Sequence, residues 1–344
     1  MPAAPRSATR AALTIPLLAL LLGVLAVVAS GLGFIAVSPG EVLDAVLGSH
    51  GAAGAQDALH QSVVLDVRLP RILTSMAVGF GLAVAGAVFQ GLLLNPLADP
   101  FTLGVSSGAA FGAALSLLLG LHFLGPATLG TMAFLGAAAT LFAVMALSGR
   151  DMDLSPTNLI LSGVIVSAIL SAGISFIKYL ADERVATIVF WLMGSFVSRT
   201  WTDALLTAAV SLAGFAICLF FARDLNIMSL GTRSARSLGV DTGRVRLILL
   251  LTASLVSAVC VSVSGIIGFV GLIVPHLMRL AVGPDNRALL PASGLAGALL
   301  LLCADTATRT ALPHEVPIGV LTALIGGPVF CWIFTRTRAG RRRG

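Results

Sequence analysis

Charge is scarce in this sequence. Only 10% of its 344 residues are Asp, Glu, Lys or Arg, while 57% are hydrophobic; an ordinary soluble domain carries about 25% charged residues. A mean hydropathy of +1.02 excludes a water-facing globule. It also excludes disorder, which needs few apolar residues and a high net charge. Lysine is nearly missing: of 21 basic residues the single Lys is Lys178, between Ile177 and Tyr179. A phosphate-binding P-loop ends in Gly-Lys-Ser/Thr, so the chain has none, and nucleotide-driven work would need an ATPase on another subunit. Cysteine is limited to Cys218, Cys260, Cys303 and Cys331, all inside apolar segments and without metal-ligand spacing. They read as small buried hydrophobes. His276 has Arg279 nearby but no further ligand, so a structural histidine is favoured and no metal site is assigned. No nucleophile, base and orienter stand together, so no catalytic residue is assigned either.

Apolar runs are what the chain has in abundance. With roughly 20 residues needed per span, they separate into ten: 13–37, 71–94, 101–121, 127–147, 157–180, 202–221, 247–264, 268–282, 289–306 and 317–335. The first is longer than a signal-peptide core and is read as a span. A shorter stretch, 186–197, reads as a partly inserted helix. An all-α polytopic membrane domain over 13–336 is expected, with tails at 1–12 and 337–344. Ten spans put both termini on one side. That side collects fifteen basic residues, including Arg6, Arg10, Arg150, Arg223, Arg279, Arg287 and the Arg336 to Arg343 cluster. The other side holds six: Arg68, Arg71, Lys178, Arg184, Arg199 and Arg309. The positive-inside rule then makes both termini cytoplasmic, in a cell inner or plasma membrane. Small residues such as Gly79, Gly81, Gly86, Gly104, Gly108 and Gly112 suit close helix packing in lipid, or a wide internal passage.

Four stretches hold more than packing. Asn95-Pro-Leu-Ala-Asp-Pro100 breaks the chain between the second and third spans, either as an ordinary turn or as non-helical backbone lining a cavity. Ser155-Pro156-Thr157 opens the fifth span, where capping alone would explain Ser155 and Pro156. Gly231 to Val240 is short, basic and bounded by glycines; Ala235 and Leu238 at i,i+3 suggest a small helix offering an apolar edge to a partner. The alternative is a basic loop held near anionic lipid. Arg68, Arg71 and Arg309 fall on the sparsely basic side. They are offered to an acidic external partner, or Arg309 simply pairs with Asp305 one turn back.

The ordered set Val67-Arg-Leu-Pro-Arg71, Gly86-Ala-Val-Phe-Gln-Gly91, Asn95-Pro-Leu-Ala-Asp-Pro100, Leu103-Gly-Val-Ser-Ser-Gly108, Trp191-Leu-Met-Gly-Ser195, Ser237-Leu-Gly-Val240, Gly268-Phe-Val-Gly-Leu-Ile-Val-Pro-His276, Pro317-Ile-Gly-Val320 and Gly327-Pro-Val-Phe330 resembles the permease subunits of type II ABC importers for iron–siderophores, haem and vitamin B12. The resemblance runs from about residue 13 to 336. It implies ten transmembrane helices per subunit and a homodimer with the passage on its two-fold axis. It also implies two ATPase subunits, which carry the ATP and Mg, and an external substrate-binding protein; no cofactor is implied in this chain, and nothing points to nucleic acid. By that resemblance Gly231, Ser234, Ala235, Arg236, Leu238 and Gly239 form the coupling helix. Asn95, Leu97, Ser155, Pro156 and Thr157 form the cytoplasmic gate, Pro156 being a departure from the family's small polar residues there. Arg68, Arg71 and Arg309 dock the binding protein. Iron–siderophore leads as substrate, with haem and cobalamin behind. An ion-coupled secondary transporter is the competing class, but such proteins carry intramembrane carboxylates as relays, and Asp305 is the one candidate. A membrane-embedded enzyme would need clustered ligands or a nucleophile.

Overall fold

The computed structural model describes residues 6–33, 37–47, 55–149, 155–310 and 316–341. Arg150, Arg342 and Arg343 lie outside them. Every regular element among the described residues is helical. In chain order these are α1 (Arg6–Gly31), α2 (Pro39–Leu47), α3 (Ala55–Ser62), α4 (Leu69–Leu92), α5 (Val105–Leu119), α6 (Ala127–Leu147), α7 (Pro156–Leu180), α8 (Val185–Leu192), α9 (Trp201–Phe220), α10 (Ala222–Met228), α11 (Thr232–Ser237), α12 (Thr242–Ser264), α13 (Val270–Val282), α14 (Asn286–Thr310) and α15 (Ile318–Arg341).

Seven helical stretches among the described residues are long and apolar enough to cross a bilayer, and three shorter apolar helices, α5, α13 and the first part of α15, bring the set to ten. These fall on the ten expected spans. The expected partly inserted helix is α8. Boundaries differ at three places: α1 begins at Arg6 and ends at Gly31, α15 runs on to Arg341 through part of the expected tail, and span two does not start near residue 71. Helix runs unbroken from Leu59 to Leu92, because α3 passes through a π-helical turn, Val63–Arg68, directly into α4. Leu69-Pro70 looked like a helix start in sequence, yet proline is tolerated here because the π turn changes the bonding pattern. In it Leu69 donates to Val64, five residues back. Pro70 has no N–H for the next carbonyl, that of Leu65, and the Trp201 indole Nε1 donates to it instead at 3.0 Å.

α4 is the central post of the bundle. It packs against α14, α9, α12 and α13, and most of its side chains are buried. Without a hydrophobic drive between helices in lipid, close backbone approach carries the association. At Gly79 an added Cβ would run into the Gly297 carbonyl of α14, and one at Gly297 would run into the Gly79 carbonyl. α5, α6 and α7 form a second group. α12 bridges the two groups, touching α4 and α9 on one side and α5 and α6 on the other.

Pro275 lies inside α13, so the carbonyl of Gly271, four residues back, has no helical donor. Gln90 of α4 supplies one: its Nε2 lies 3.4 Å from the Gly271 oxygen and 3.0 Å from that of Leu272. Its Oε1 accepts from Arg279 Nη1 at 3.0 Å. One buried amide thus fills a proline-made gap and holds a cation. Gln90→Leu keeps the volume but strips both contacts, at about 1–3 kcal/mol per buried group left unsatisfied. The expected result is a lower thermal unfolding midpoint in detergent and faster amide exchange in α13. Wild-type stability with unchanged exchange would contradict it.

Candidate functional site

The segment joining α4 to α5 is built by two side chains. The Asn95 Oδ1 accepts from the Leu97 N–H at 3.0 Å, and its carbonyl accepts from the Ala98 N–H at 3.0 Å. Leu94, at φ 49°, begins the turn. The result pushes Leu94, Pro96 and Leu97 outward while Ala98, Asp99 and Pro100 sink into the protein. Asp99 then organises the descent: its Oδ1 accepts from the N–H groups of Phe101 at 3.0 Å and Thr102 at 3.1 Å. Burial pushes this carboxyl up to about 6, and the two backbone donors only partly oppose the shift.

Ser155 stands at the N-cap of α7 with Pro156 at the first helical position, but its hydroxyl makes no capping bond. Thr157 is exposed and Ser155 and Pro156 are half-buried. Asn158 instead ties this end to the end of α6, its Nδ2 lying 3.3 Å from the Ser148 carbonyl. The backbone of Thr102 and Leu103 lies against Gly163 of α7. Both stretches expected to gate the passage, Asn95 with Leu97 and Ser155 to Thr157, therefore lie at one end of the bundle.

α10 and α11 also lie on that end. Gly231 at φ 99° and Gly239 at φ 85° bound α11; a Cβ at either would meet nothing, so left-handed backbone rather than space requires glycine there. Ala235 and Leu238 were expected to share one offered edge, and here the structure differs. Ala235 is fully buried in the main apolar core and anchors the turn, whereas Leu238 is 63% exposed. A six-residue helix cannot stand unaided, so the small residue is spent on anchoring. Arg233, Ser234, Arg236 and Leu238 form the outward surface, with Arg236 Nε also donating to Thr242 Oγ1 at 3.1 Å. Behind α11, Asn226 of α10 donates to Asp285 Oδ1 at 2.7 Å. Its own Oδ1 accepts from the Asn286 backbone N–H at 2.9 Å and side-chain Nδ2 at 2.7 Å. The α10–α11 unit is thereby fixed to the first residue of α14.

At the opposite end, Arg68, Arg71 and Arg309 were expected to face outward. All three are buried. Arg71 Nε reaches Asp305 Oδ1 at 3.0 Å and Oδ2 at 3.1 Å, with Nη2 at 2.9 Å from Oδ1. Arg309 lies 3.6 Å from the same carboxylate, at i,i+4. The Arg309 pairing read in the sequence is present, but Arg71 holds Asp305 more closely. Arg309 Nη2 donates to the Ala29 carbonyl at 2.8 Å and Arg68 Nη1 to the Ser30 carbonyl at 2.7 Å. These are last-turn carbonyls of α1, where a helix has no donors left and cations are favoured. The physical reason for the inward disposition is that such carbonyls cannot be left bare in an apolar medium.

Gln90, Asn226, Asp285 and Asn286 carry no role in the sequence reading, whereas Asp99, read with Asn95 as a partner for backbone groups freed by the prolines, does that. A lone amide or carboxylate within an apolar span signals function or packing by its rarity, which marks Gln90 and Asp305. Nothing local marks Asn226, whose partners lie about 60 residues on. Among the described residues no group of three His, Cys, Asp or Glu could hold a metal.

Asp305→Ala would leave Arg71 and Arg309 buried against each other, at about 3–5 kcal/mol. Such a variant should lose most of its folded yield on size exclusion, and normal yield would contradict the clamp. For Asp99 the raised value means that the fold favours the neutral acid. Its loop is tightest below the ordinary carboxyl value of 3.8 and loosens as pH rises through about 6. After correction for intrinsic rates, amide exchange at residues 99–104 should accelerate across that window in the wild type and stay flat in Asp99→Asn. Matching profiles would contradict the burial effect.

The sequence matches the FecCD transport family over residues 18–336. It is 42% identical over 275 residues to the cobalamin import system permease BtuC of Halobacterium salinarum, covering 79% of this chain and 73% of that one. It is 40% identical over 284 residues to the hemin transport system permease HmuU of Yersinia pestis, covering 80% and 83%. A solved ABC transporter described as metal-chelate type, in an inward-facing conformation, superposes with a TM-score of 0.82 at 38% identity, covering 94% of this chain and 98% of that one. With its family match spanning nearly all of the sequence and its apolar helices in place, this multi-pass membrane chain belongs to the FecCD transport family.

Proposed function

We propose that the chain is one half of the passage of an ATP-driven importer for metal chelates, with iron–siderophore as the leading substrate and haem and cobalamin as alternatives. The kinship with permeases named for hemin and cobalamin and with a metal-chelate type transporter supports a bulky metal-bearing cargo. Two copies line a two-fold passage in the cell membrane, with both termini cytoplasmic. Two ATPase subunits grip the inner face, and an external binding protein delivers substrate.

The observation that carries this reading is the construction of α11. It is a short helix between two positive-φ glycines, anchored inward by Ala235, exposing Leu238 and Arg233, and fixed through Asn226 to α14. That is a handle made to be held from outside the chain. ATP closure moves this handle, and the Asn226 contacts pass the movement to a membrane-crossing helix. Asn95, Leu97, Ser155, Pro156 and Thr157 close the passage at the same end. The energy difference between states comes from nucleotide on the partner, because a two-state equilibrium shifts only by differential binding. At the outer end, Arg68, Arg71 and Arg309 build the face that docks the acidic binding protein, by fixing the end of α1 and the Asp305 clamp rather than by direct contact.

Leu238→Asp tests the handle, since Leu238 is exposed and its change leaves the bundle intact. Recovery of the co-purifying ATPase should fall about tenfold, a loss near 1.4 kcal/mol, and ferric-siderophore uptake into vesicles of the reconstituted importer should fall with it. Undiminished recovery and uptake would remove α11 as the ATPase contact.

A further inference from the structure

One lateral groove belongs to none of these elements. α6 and α9 both rest on α12 and make no extended contact with each other. Between them runs a cavity of about 420 Å³. Phe134 of α6, Leu206 of α9 and Val259 of α12 line its apolar part, and Trp191, Arg199 and Asp203 line the part nearest the first turns of α6 and α9. That part lies at the end of the bundle away from α11, because Val263, near the last residue of α12, meets Arg199 there. The helices flanking the slot turn apolar side chains outward, with Leu135, Phe142, Leu205 and Leu212 all exposed. The slot therefore opens toward acyl chains.

Arg199 is fixed by the protein and only partly used. Its Nη1 donates to the Val263 carbonyl at 2.6 Å and its Nε to that of Val197 at 3.1 Å. Among the described residues its Nη2 has no hydrogen-bond partner. Asp203, one turn into α9, does not form an ion pair with it within 4.0 Å among the described residues. The Asp203 carboxylate caps α9 instead, accepting from the Thr200 N–H and hydroxyl at 2.9 Å each. The groove thus has a fixed cation beside tryptophan, where the aromatic belt of a membrane protein marks the headgroup level, and an apolar trench running from it toward the bilayer centre.

We propose that this groove is a phospholipid site, with the lipid phosphate on Arg199 Nη2 and an acyl chain laid along Phe134, Leu206 and Val259. A guanidinium takes a phosphate oxygen through a charge-assisted hydrogen bond, and the trench excludes water from the chain. Occupancy stiffens the joint at which α6, α9 and α12 meet, so the bundle holds its outer shape with a lipid wedge rather than a side chain.

The test is native mass spectrometry of the delipidated permease, offered phosphatidylglycerol or a diacylglycerol with the same chains and no phosphate. The wild type should retain phosphatidylglycerol and not diacylglycerol. Arg199→Gln should weaken retention about tenfold, the scale of one lost charge-assisted contact. Leu206→Trp fills the trench while leaving the bonds of Arg199 intact, and it should abolish retention; it decides the matter if Arg199→Gln does not fold. Equal retention of both lipids, retention of neither, or an adduct that survives Leu206→Trp would overturn the proposal. So would loss of the adduct when two permease copies associate, which would assign the groove to a second copy of the chain.

Discussion

A backbone carbonyl or N–H without a partner costs several kcal/mol in hydrocarbon, and the architecture of this chain is arranged around that constraint. At two prolines within helices, a side chain from another helix fills the gap: Trp201 at the Leu65 carbonyl opposite Pro70, and Gln90 at the Gly271 carbonyl opposite Pro275. At the ends of α1, α5 and α12, an arginine meets the last carbonyls. Arg68 and Arg309 serve α1, Arg184 serves α5 through Leu117 and Leu118 at 3.2 and 2.8 Å, and Arg199 serves α12. A guanidinium suits this task because it carries several rigid donors and a charge that complements the helix dipole. The near absence of lysine fits the same demand.

These bonds also make the bundle mechanically continuous. α14 begins at Asn286, tied to α10 by Asn226, and ends beside Asp305 and Arg309, tied to α4 and α1. At 1.5 Å per residue its 25 residues span about 37 Å. One helix thus joins the α10–α11 unit to the Asp305 clamp at the opposite end of the bundle, with α4 packed along it through facing glycines. A displacement of α10 and α11 has a direct covalent and hydrogen-bonded route to the far side.

Much of this was legible in the sequence and some was not. The spans followed from apolar run length, so α6 and α7 fell where expected. The π turn before α4 was invisible because Leu69-Pro70 is a good helix start in isolation, and only the indole of Trp201, 136 positions away, makes the continuous helix tolerable. The glycines that bound α11 were readable, but their left-handed backbone and the inward anchoring of Ala235 depend on the turns and the core they meet. The three outer arginines were singled out correctly as unusual. Their partners were not legible, because carbonyl groups carry no sequence signature and the carboxylate that holds Arg71 lies 234 positions on. Interactions that cap distant helices are written in the fold rather than in any local pattern.

The central claim is that Arg68, Arg184, Arg199 and Arg309 close helix ends. Amide hydrogen exchange on the permease in lipid nanodiscs, comparing wild type with Arg184→Ala and Arg309→Ala, tests it directly. The expected result is faster exchange confined to the last turn of α5 in the first variant and of α1 in the second, with the opposite ends of both helices unchanged. Exchange identical to wild type at both helix ends would contradict it.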